Sequence, residues 1–392
     1  MTQAETISTP PIKTHQRTIM IVAGEASGDK HGAALARALV KLFPETEFTF
    51  FGSGGEEMRA AGVETLVDAR EVAIIGIPEI IGALGKLYGA FRKLIHAARI
   101  RKPDAVVLVD WPDFNMRVAK KLHREGCKII YYISPQVWAW RRYRVNALKR
   151  DVDKMLVILP FEEAFYKNQN IDVEYIGHPL VEAVRLTLTR EAFASQHGLD
   201  ASRPFIALLP GSRHKEIHYH LPEMLKAARQ LNAPQFILPL ASTVSRETIE
   251  KAIKDSGVEV TIIERDTYNA LGHAAFAVVA SGTATVETAL AGTPMVIVYR
   301  GSEINWRLIR PLIQLDTFGM VNLIAGRRIM PELIQHDCTG ERIAETVQEV
   351  SGDSRRLMQM REDLAEVRRK LETGEGSVPE RAARAVMRLI DK

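Results

Sequence analysis

Short apolar runs alternate with longer stretches of helical periodicity along nearly the whole chain. The runs predict strands at Thr18–Ala23, Glu47–Gly52, Ala105–Val109, Lys128–Ile133, Lys154–Leu159 and Val173–Ile176. They resume at Phe205–Leu209, Gln235–Leu240, Val258–Ile263, Phe276–Ala280 and Met295–Tyr299. Continuous apolar runs separated by helical segments are the signature of strands buried on both faces of a parallel sheet, so the fold class is α/β. A polar, charged stretch around Leu186–Pro204 interrupts the alternation. It divides the chain into two Rossmann-like domains, 18–186 and 187–365, which as similar halves joined by one linker would face each other across a cleft. Residues 1–17 are polar and proline-bearing and read as a disordered tail. In the C-terminal helical segment, 366–392, Val378–Ile390 carries an apolar stripe that needs a partner, whereas the preceding stretch from Arg355 reads as a solvated helix.

Bulk properties narrow the function classes. At 392 residues the chain exceeds what one core usually serves. A formal net charge of +4, from 52 basic and 48 acidic residues, is too slight to argue for nucleic acid. Cys127 and Cys338 are the two cysteines, and their separation suits a reducing compartment rather than a disulfide framework or metal cluster. The first 17 residues lack the apolar core of a signal peptide, and no apolar run is long enough to span a bilayer.

Chemistry concentrates where strands end, because open α/β sheets bind ligands at the carboxyl ends of their strands. The richest stretch is Ala275–Arg300, which reads as strand, turn, helix from about Ala284 to Gly292, and strand. Ser281, Gly282 and Thr283 would present backbone N–H groups at a helix N-terminus, an anion site, and Glu287 lies where a carboxylate could accept from ribose hydroxyls. An ordinary βαβ turn is the plainer alternative. Pro210-Gly211-Ser212-Arg213 ends another strand and offers amides plus a guanidinium suited to phosphate, and two such turns in one domain favour a nucleotide diphosphate. In the first half, Gly24-Glu25-Ala26-Ser27 follows a strand and opens a helix. Glu25 and Ser27 stand as cleft residues unless Ser27 or Asp29 is simply a helix cap. Asp110-Trp111-Pro112-Asp113 places two carboxylates at a strand end; Asp113 is either a general base or a capping aspartate. Tyr131–Arg141 is dense in aromatic residues that suit sugar rings, although core packing would claim one of Trp138 and Trp140.

Ala73–Lys102 is unusual in another way. Ile77, Ile81, Leu84, Leu87, Tyr88 and Phe91 fall on one wide helical face, flanked by Lys86, Arg92, Lys93, Arg99, Arg101 and Lys102. A wide apolar face with a basic rim suits a membrane surface or acyl chain, and a core helix with a solvated basic face is the plainer alternative.

Together the motifs AGEASGD, WPDFN, SPQVWAWR, IGHPL, LPGSR, ASGTATVET and VNLIAGR, in that order from Ile19 to Arg327, resemble lipid-A-disaccharide synthase. The resemblance implies a GT-B-type glycosyltransferase whose C-terminal helix returns to the first domain, within one chain or swapped across a homodimer. It implies an inverting transfer from UDP-2,3-diacylglucosamine to 2,3-diacylglucosamine 1-phosphate, giving the β-1,6 disaccharide and UDP with no metal and no cofactor. The catalytic aspartate falls on Asp113, with Asp110 beside it. Substrate and UDP contacts fall on Glu25, Ser27, Gln136, Arg213, Ser281, Gly282, Thr283, Glu287 and Asn322. Trp111 stands where that family often has a small residue. Asp151-Val152-Asp153 is similar to the metal-binding DxD of some glycosyltransferases, but it precedes a strand and reads as a loop at the wrong edge. Acylated substrates would place the enzyme in the cytoplasm, peripheral on the inner membrane, and favour the membrane reading of Ile77–Phe91.

Two other classes share parts of this pattern. A UDP-sugar 2-epimerase would convert UDP-N-acetylglucosamine with no second sugar. A non-catalytic UDP-sugar-binding or membrane-binding protein would release no UDP from diacylated substrates.

Overall fold

The computed structural model describes residues 15–72, 80–139, 142–231, 235–310 and 317–392; the side chains at 71–72, 80–84, 142, 305 and 308–309 lie outside the description. The chain forms two compact units, Met1–Gly177 with Gly374–Lys392, and His178–Thr373. The limits expected at 186 and 365 both fall inside the second unit.

In the first unit seven strands make one parallel sheet. They are β1 (His15–Ala23), β2 (Thr46–Gly54), β3 (Val63–Asp68), β4 (Ala105–Val109), β5 (Ile129–Tyr132), β6 (Lys154–Val157) and β7 (Val173–Tyr175), in the order β3-β2-β1-β4-β5-β6-β7. The apolar runs alternate between two cores, as the period of a strand requires. Met20, Val22, Val106 and Leu108 enter one cluster; Ile19, Ile21, Val107 and Val109 enter the other. Three residues expected in the tail belong to β1, where His15, Gln16 and Arg17 pair with Thr46, Glu47 and Phe48. Their side chains are polar, so the pattern did not register them, but their backbone continues the ladder. Residues 1–14 lie outside the described residues.

The helix Val378–Ile390 returns to this first unit. Val378, Ala382, Ala383, Val386, Met387 and Ile390 join the cluster that contains Ala33, Leu35, Ala36 and Leu39 of the helix Ala26–Leu42. The larger side chains there, Val378, Val386, Met387 and Ile390, each gain about 1.5–3 kcal/mol on burial, enough to hold a terminal helix. Lys128 Nζ donates to the carbonyls of Leu389 and Ile390 at 2.9 and 3.0 Å, and Ser377 with Glu380 forms a capping box at the other end.

The second unit holds β8 (Phe205–Leu209), β9 (Gln235–Pro239), β10 (Val260–Ile263), β11 (Phe276–Ala280), β12 (Met295–Tyr299) and β13 (Glu332–Ile334), all parallel in the order β10-β9-β8-β11-β12-β13. The helix Ser354–Leu371 packs on this unit and is not solvated all round: Met360, Leu364, Val367 and Leu371 are buried.

In both sheets the strand order reverses beside the first strand, between β1 and β4 and between β8 and β11. Such a reversal leaves a crevice at the carboxyl ends of the two central strands. Among the described residues no helix is long and apolar enough to cross a membrane.

Candidate active site

The switch point of the first sheet brings together Gly24-Glu25-Ala26-Ser27, after β1, and Asp110-Trp111-Pro112-Asp113, after β4. Glu25 takes the N-cap position of the helix Ala26–Leu42 without a side-chain cap bond, and Glu25 and Ser27 are both exposed. The capping reading therefore fails for Ser27. Asp29 does cap, but a different helix: its carboxylate accepts from the amides of Gly55, Glu57 and Met58 at 2.6, 3.0 and 3.1 Å.

The β4 turn is strained and over-determined. Asp110 and Trp111 have φ of 47° and 49°, uncommon for residues with a β-carbon, and Ile133 after β5 has φ 67°. The Asp110 carbonyl is pinned by the Tyr131 hydroxyl and by Asn115 Nδ2, each at 2.8 Å. Strain of this kind persists where neighbouring bonds enforce it, commonly at functional sites. The Trp111 ring stacks on Phe114 with centroids 3.9 Å apart and lies over Gly24, where a β-carbon would come within 2.1 Å of it. The larger residue between the aspartates is thus accommodated by a glycine on the neighbouring loop.

The two carboxylates differ. Asp110 is partly buried; burial, with the charge of Glu25 adding to it, pushes its carboxyl up to about 6. Asp113, near the start of the helix Pro112–His123, has a side chain 70% exposed and forms an ion pair with Arg144, whose own side chain is largely buried. Motif reading missed Arg144; its only signal was the basic run before the helix Val145–Asp151. Past β5, Gln136 is exposed, whereas Trp138 is buried and donates its indole N–H to Glu162 at 2.9 Å. Burial raises Glu162 to about 7. Trp138 is therefore the core member of the aromatic pair, and Trp140 lies outside the described residues.

In the second unit the switch point joins the Pro210–Arg213 turn, after β8, to Ser281–Thr283, after β11. Gly211 and Gly282 have φ of 118° and 150°, which side-chain-bearing residues rarely adopt. The anion donors are fewer than expected. Glu216 accepts from the amides of Ser212 and Arg213 at 2.8 and 3.2 Å, so this turn offers its guanidinium, 81% exposed and paired with Glu216, rather than its backbone. Ser281 N–H belongs to the strand ladder through Val298, and Ser281 Oγ donates to the Phe318 carbonyl at 2.7 Å. Thr285 N–H bonds the Gly282 carbonyl, and among the described residues the amides of Gly282, Thr283 and Ala284, at the start of the helix Thr283–Leu290, meet no acceptor. Glu287, one turn further in, is raised by burial and accepts weakly from Tyr268 OH at 3.4 Å.

Asn322 departs from expectation. It is buried, its Nδ2 donates to the Met330 carbonyl and Glu332 at 2.9 and 2.8 Å, and its Oδ1 accepts from the amides of Ile329 and Met330 at 2.9 Å each. With two donors and two acceptor sites used, its amide has nothing left for a ligand. It acts at one remove instead: Glu332 also holds the amides of Phe318 and Gly319, the segment that receives Ser281.

The Asp151–Asp153 loop stands at the amino end of β6. Asp151 is buried against Arg150, and Asp153 accepts from Ile129 N–H. Among the described residues no group of three or more metal-ligating side chains gathers. On the helix Ile80–Arg101, Leu87 and Phe91 are partly buried against the first unit's core, so each presents only part of its side chain at the surface. Tyr88 is 64% exposed. Ile77, and the side chains of Ile81 and Leu84, lie outside the description. The basic rim is also partly neutralised, by Arg99–Glu125 and Arg101–Glu64 pairs.

The sequence profile described as lipid-A-disaccharide synthetase matches residues 19–386. A lipid-A-disaccharide synthase of Koribacter versatilis is 46% identical over 376 residues, covering 94% of this chain and 97% of its own. That of Myxococcus xanthus is 45% identical over 381 residues, covering 96% and 98%. Among solved structures, the glycotransferase of kitacinnamycin superposes with a TM-score of 0.61 at 16% identity, over 97% of this chain and 100% of its own. UDP-N-acetylglucosamine 2-epimerases share the same fold, so fold alone does not separate the two activities.

Proposed function

The chain belongs to the lipid-A-disaccharide synthase family of hexosyltransferases, and from that premise we propose how its two units divide the synthesis of the lipid A disaccharide. The second unit holds the UDP-sugar donor by its diphosphate. The Arg213 guanidinium and the amides at Gly282–Ala284 meet the charge that grows on departing UDP, while Glu287 meets the ribose. The first unit serves the acceptor. Asp113 takes the proton of the acceptor's 6-hydroxyl as that oxygen attacks the donor's anomeric carbon from the face opposite UDP. The carbon–oxygen bond to UDP breaks, the electron pair leaves with UDP, and the anomeric configuration inverts through an oxocarbenium-like state. Asp110 is the second carboxylate of the β4 turn and must be ionised for full turnover. The donor is read as UDP-2,3-diacylglucosamine and the acceptor as 2,3-diacylglucosamine 1-phosphate.

One observation carries this reading: in each sheet, both motif pairs converge on the switch point, carboxylates in one unit and a cation with open amides in the other. An epimerase shares the fold but requires no second sugar, and the family match does not favour it. Arg213→Ala tests the donor half directly. A lost charge-assisted phosphate contact is worth about 1.5–3 kcal/mol, so UDP should bind on the order of 10- to 100-fold more weakly by calorimetry. Unchanged UDP affinity would remove Arg213 from the diphosphate.

Acyl chains on both substrates bring the protein to a cytoplasmic bilayer face. Exposed Tyr88 with exposed Lys86 and Arg92 supports a peripheral contact through the helix Ile80–Arg101.

A further inference from the structure

His220, on the helix His214–Gln230, is 1% exposed and touches none of the groups assigned above to substrate. Its Nδ1 lies 2.9 Å from the Pro210 carbonyl oxygen, and its Nε2 lies 2.9 Å from the Arg300 amide nitrogen. A carbonyl can only accept and a backbone amide can only donate. The ring is therefore the neutral tautomer that donates from Nδ1 and accepts at Nε2. Burial, which lowers the ring's pKa, favours the same neutral state.

The imidazole thus joins two turns at the carboxyl edge of the second sheet. One is Pro210–Arg213, after β8. The other is Arg300–Glu303, after β12. The second turn is fixed from its far side as well: Gln335 accepts from the Gly301 amide at 3.1 Å and donates to the Gly301 carbonyl at 2.9 Å, and Arg300 reaches Glu223 at 3.1 Å. An open cavity of about 370 Å³ borders it, lined in part by Tyr219, Gly301 and Glu303. The Arg300 turn is thus bonded on two sides, and His220 ties the Arg213 turn to it through the Pro210 carbonyl, on the side of Gly211 away from the bonds that Glu216 and Thr243 make to Ser212 and Arg213.

We infer that His220 is a positioning residue for the donor: by tying the Pro210–Arg213 turn to the Arg300 turn, it presets the Arg213 guanidinium for the diphosphate. This rests on the reading that Arg213 holds that diphosphate. A turn ordered before binding spares the ligand the cost of ordering it, and losing the tie weakens binding without touching chemistry.

The test uses the full chain and three variants. His220→Leu fills the ring's space with neither hydrogen bond, His220→Gln keeps one donor and one acceptor, and Arg213→Ala reports on the underlying reading. His220→Leu should raise the UDP Kd and the donor KM by about tenfold, leaving kcat and the acceptor KM within about twofold, and His220→Gln should recover most of the loss. A role in filling the core alone would lower stability and the active fraction, hence kcat, with KM unmoved. Nitrogen-15 spectra of the wild-type imidazole should show a protonated Nδ1 and a bare Nε2. Wild-type UDP affinity in His220→Leu, with Arg213→Ala impaired, would overturn the inference and spare the Arg213 reading; wild-type affinity in Arg213→Ala as well would remove both. The opposite tautomer in the spectra would also overturn the inference, and it needs no variant to fold.

Discussion

Replacing Asp110 by asparagine separates what the β4 turn costs the fold from what it does for the reaction. Asparagine keeps the shape, tolerates the left-handed φ of 47°, and still offers an oxygen to the Trp111 amide that faces the carboxylate. Only the charge is lost. Burial and Glu25 raise the Asp110 pKa from 3.8 to about 6. At about 1.4 kcal/mol per tenfold, that rise corresponds to roughly 3 kcal/mol held against the ionised form, and residual solvent access trims this to about 1–2 kcal/mol. Because the folded pKa lies above the unfolded one, both states are protonated below about pH 4 and no penalty exists there. It grows between about pH 4 and 6 and is complete above. Asp110→Asn should therefore match the wild type in urea unfolding at pH 4 and exceed it by about 1–2 kcal/mol at pH 8. Turnover should move the other way. The wild-type rate should fall as the pH drops through about 6, and the variant should be slower by about tenfold or more at pH 8 with that acid limb gone. Glu25→Gln, which removes the second cause of the shift, should move the limb to lower pH. Equal stability at pH 4 and pH 8, together with an unchanged acid limb in Asp110→Asn, would refute both the shift and its link to turnover.

Three further outcomes follow from the geometry. Asn322→Ala removes four hydrogen bonds, three of them buried, and should cost about 3 kcal/mol in chemical denaturation, with UDP affinity falling only as the Phe318–Gly319 segment loosens. Gly24→Ala drives a β-carbon into the Trp111 ring and should destabilise by about 2–3 kcal/mol alone, but by much less in a Trp111→Ala background. A double-mutant cycle with no coupling between the two sites would show that the loops do not meet as described. Tyr88→Ser combined with Lys86→Ser should weaken flotation with anionic vesicles while leaving the melting curve unchanged, because both side chains are exposed; undiminished flotation would discard this face as the membrane contact.

Most of the architecture was legible because parallel strands buried on both faces leave unbroken apolar runs. Ala105–Val109, Phe205–Leu209, Phe276–Ala280 and Met295–Tyr299 are strands over the residues the pattern predicts. The two strands it missed, Val63–Asp68 and Glu332–Ile334, are both sheet edges, where polar residues (Glu64, Thr65 and Asp68 in one, Glu332 in the other) interrupt the apolar run. Strand ends could be found in the same way, so the four switch-point loops were visible as motifs. What each side chain does there was less visible, because it depends on partners far away in sequence. Asn322 looked like a ligand-facing amide in VNLIAGR, but Met330 and Glu332 saturate it. The PGSR turn advertises amides that Glu216 occupies. Leu87 and Phe91 share a helical face with Tyr88, yet they pack against a core that draws many of its members from strands and helices distant in sequence. The motifs located the chemistry, and the tertiary hydrogen bonds decided which atoms are open to it.

The central claim is a division of labour: the second unit grips UDP and the first unit's aspartate takes the acceptor proton. It is tested most directly by mixing UDP-2,3-diacylglucosamine with 2,3-diacylglucosamine 1-phosphate, following UDP release, and identifying the product by mass. The wild-type protein should release one UDP per disaccharide formed, and none without the acceptor. Asp113→Ala should still bind UDP as the wild type does but release none. UDP release or sugar conversion that needs no acceptor, or near-wild-type disaccharide formation by Asp113→Ala, would contradict it.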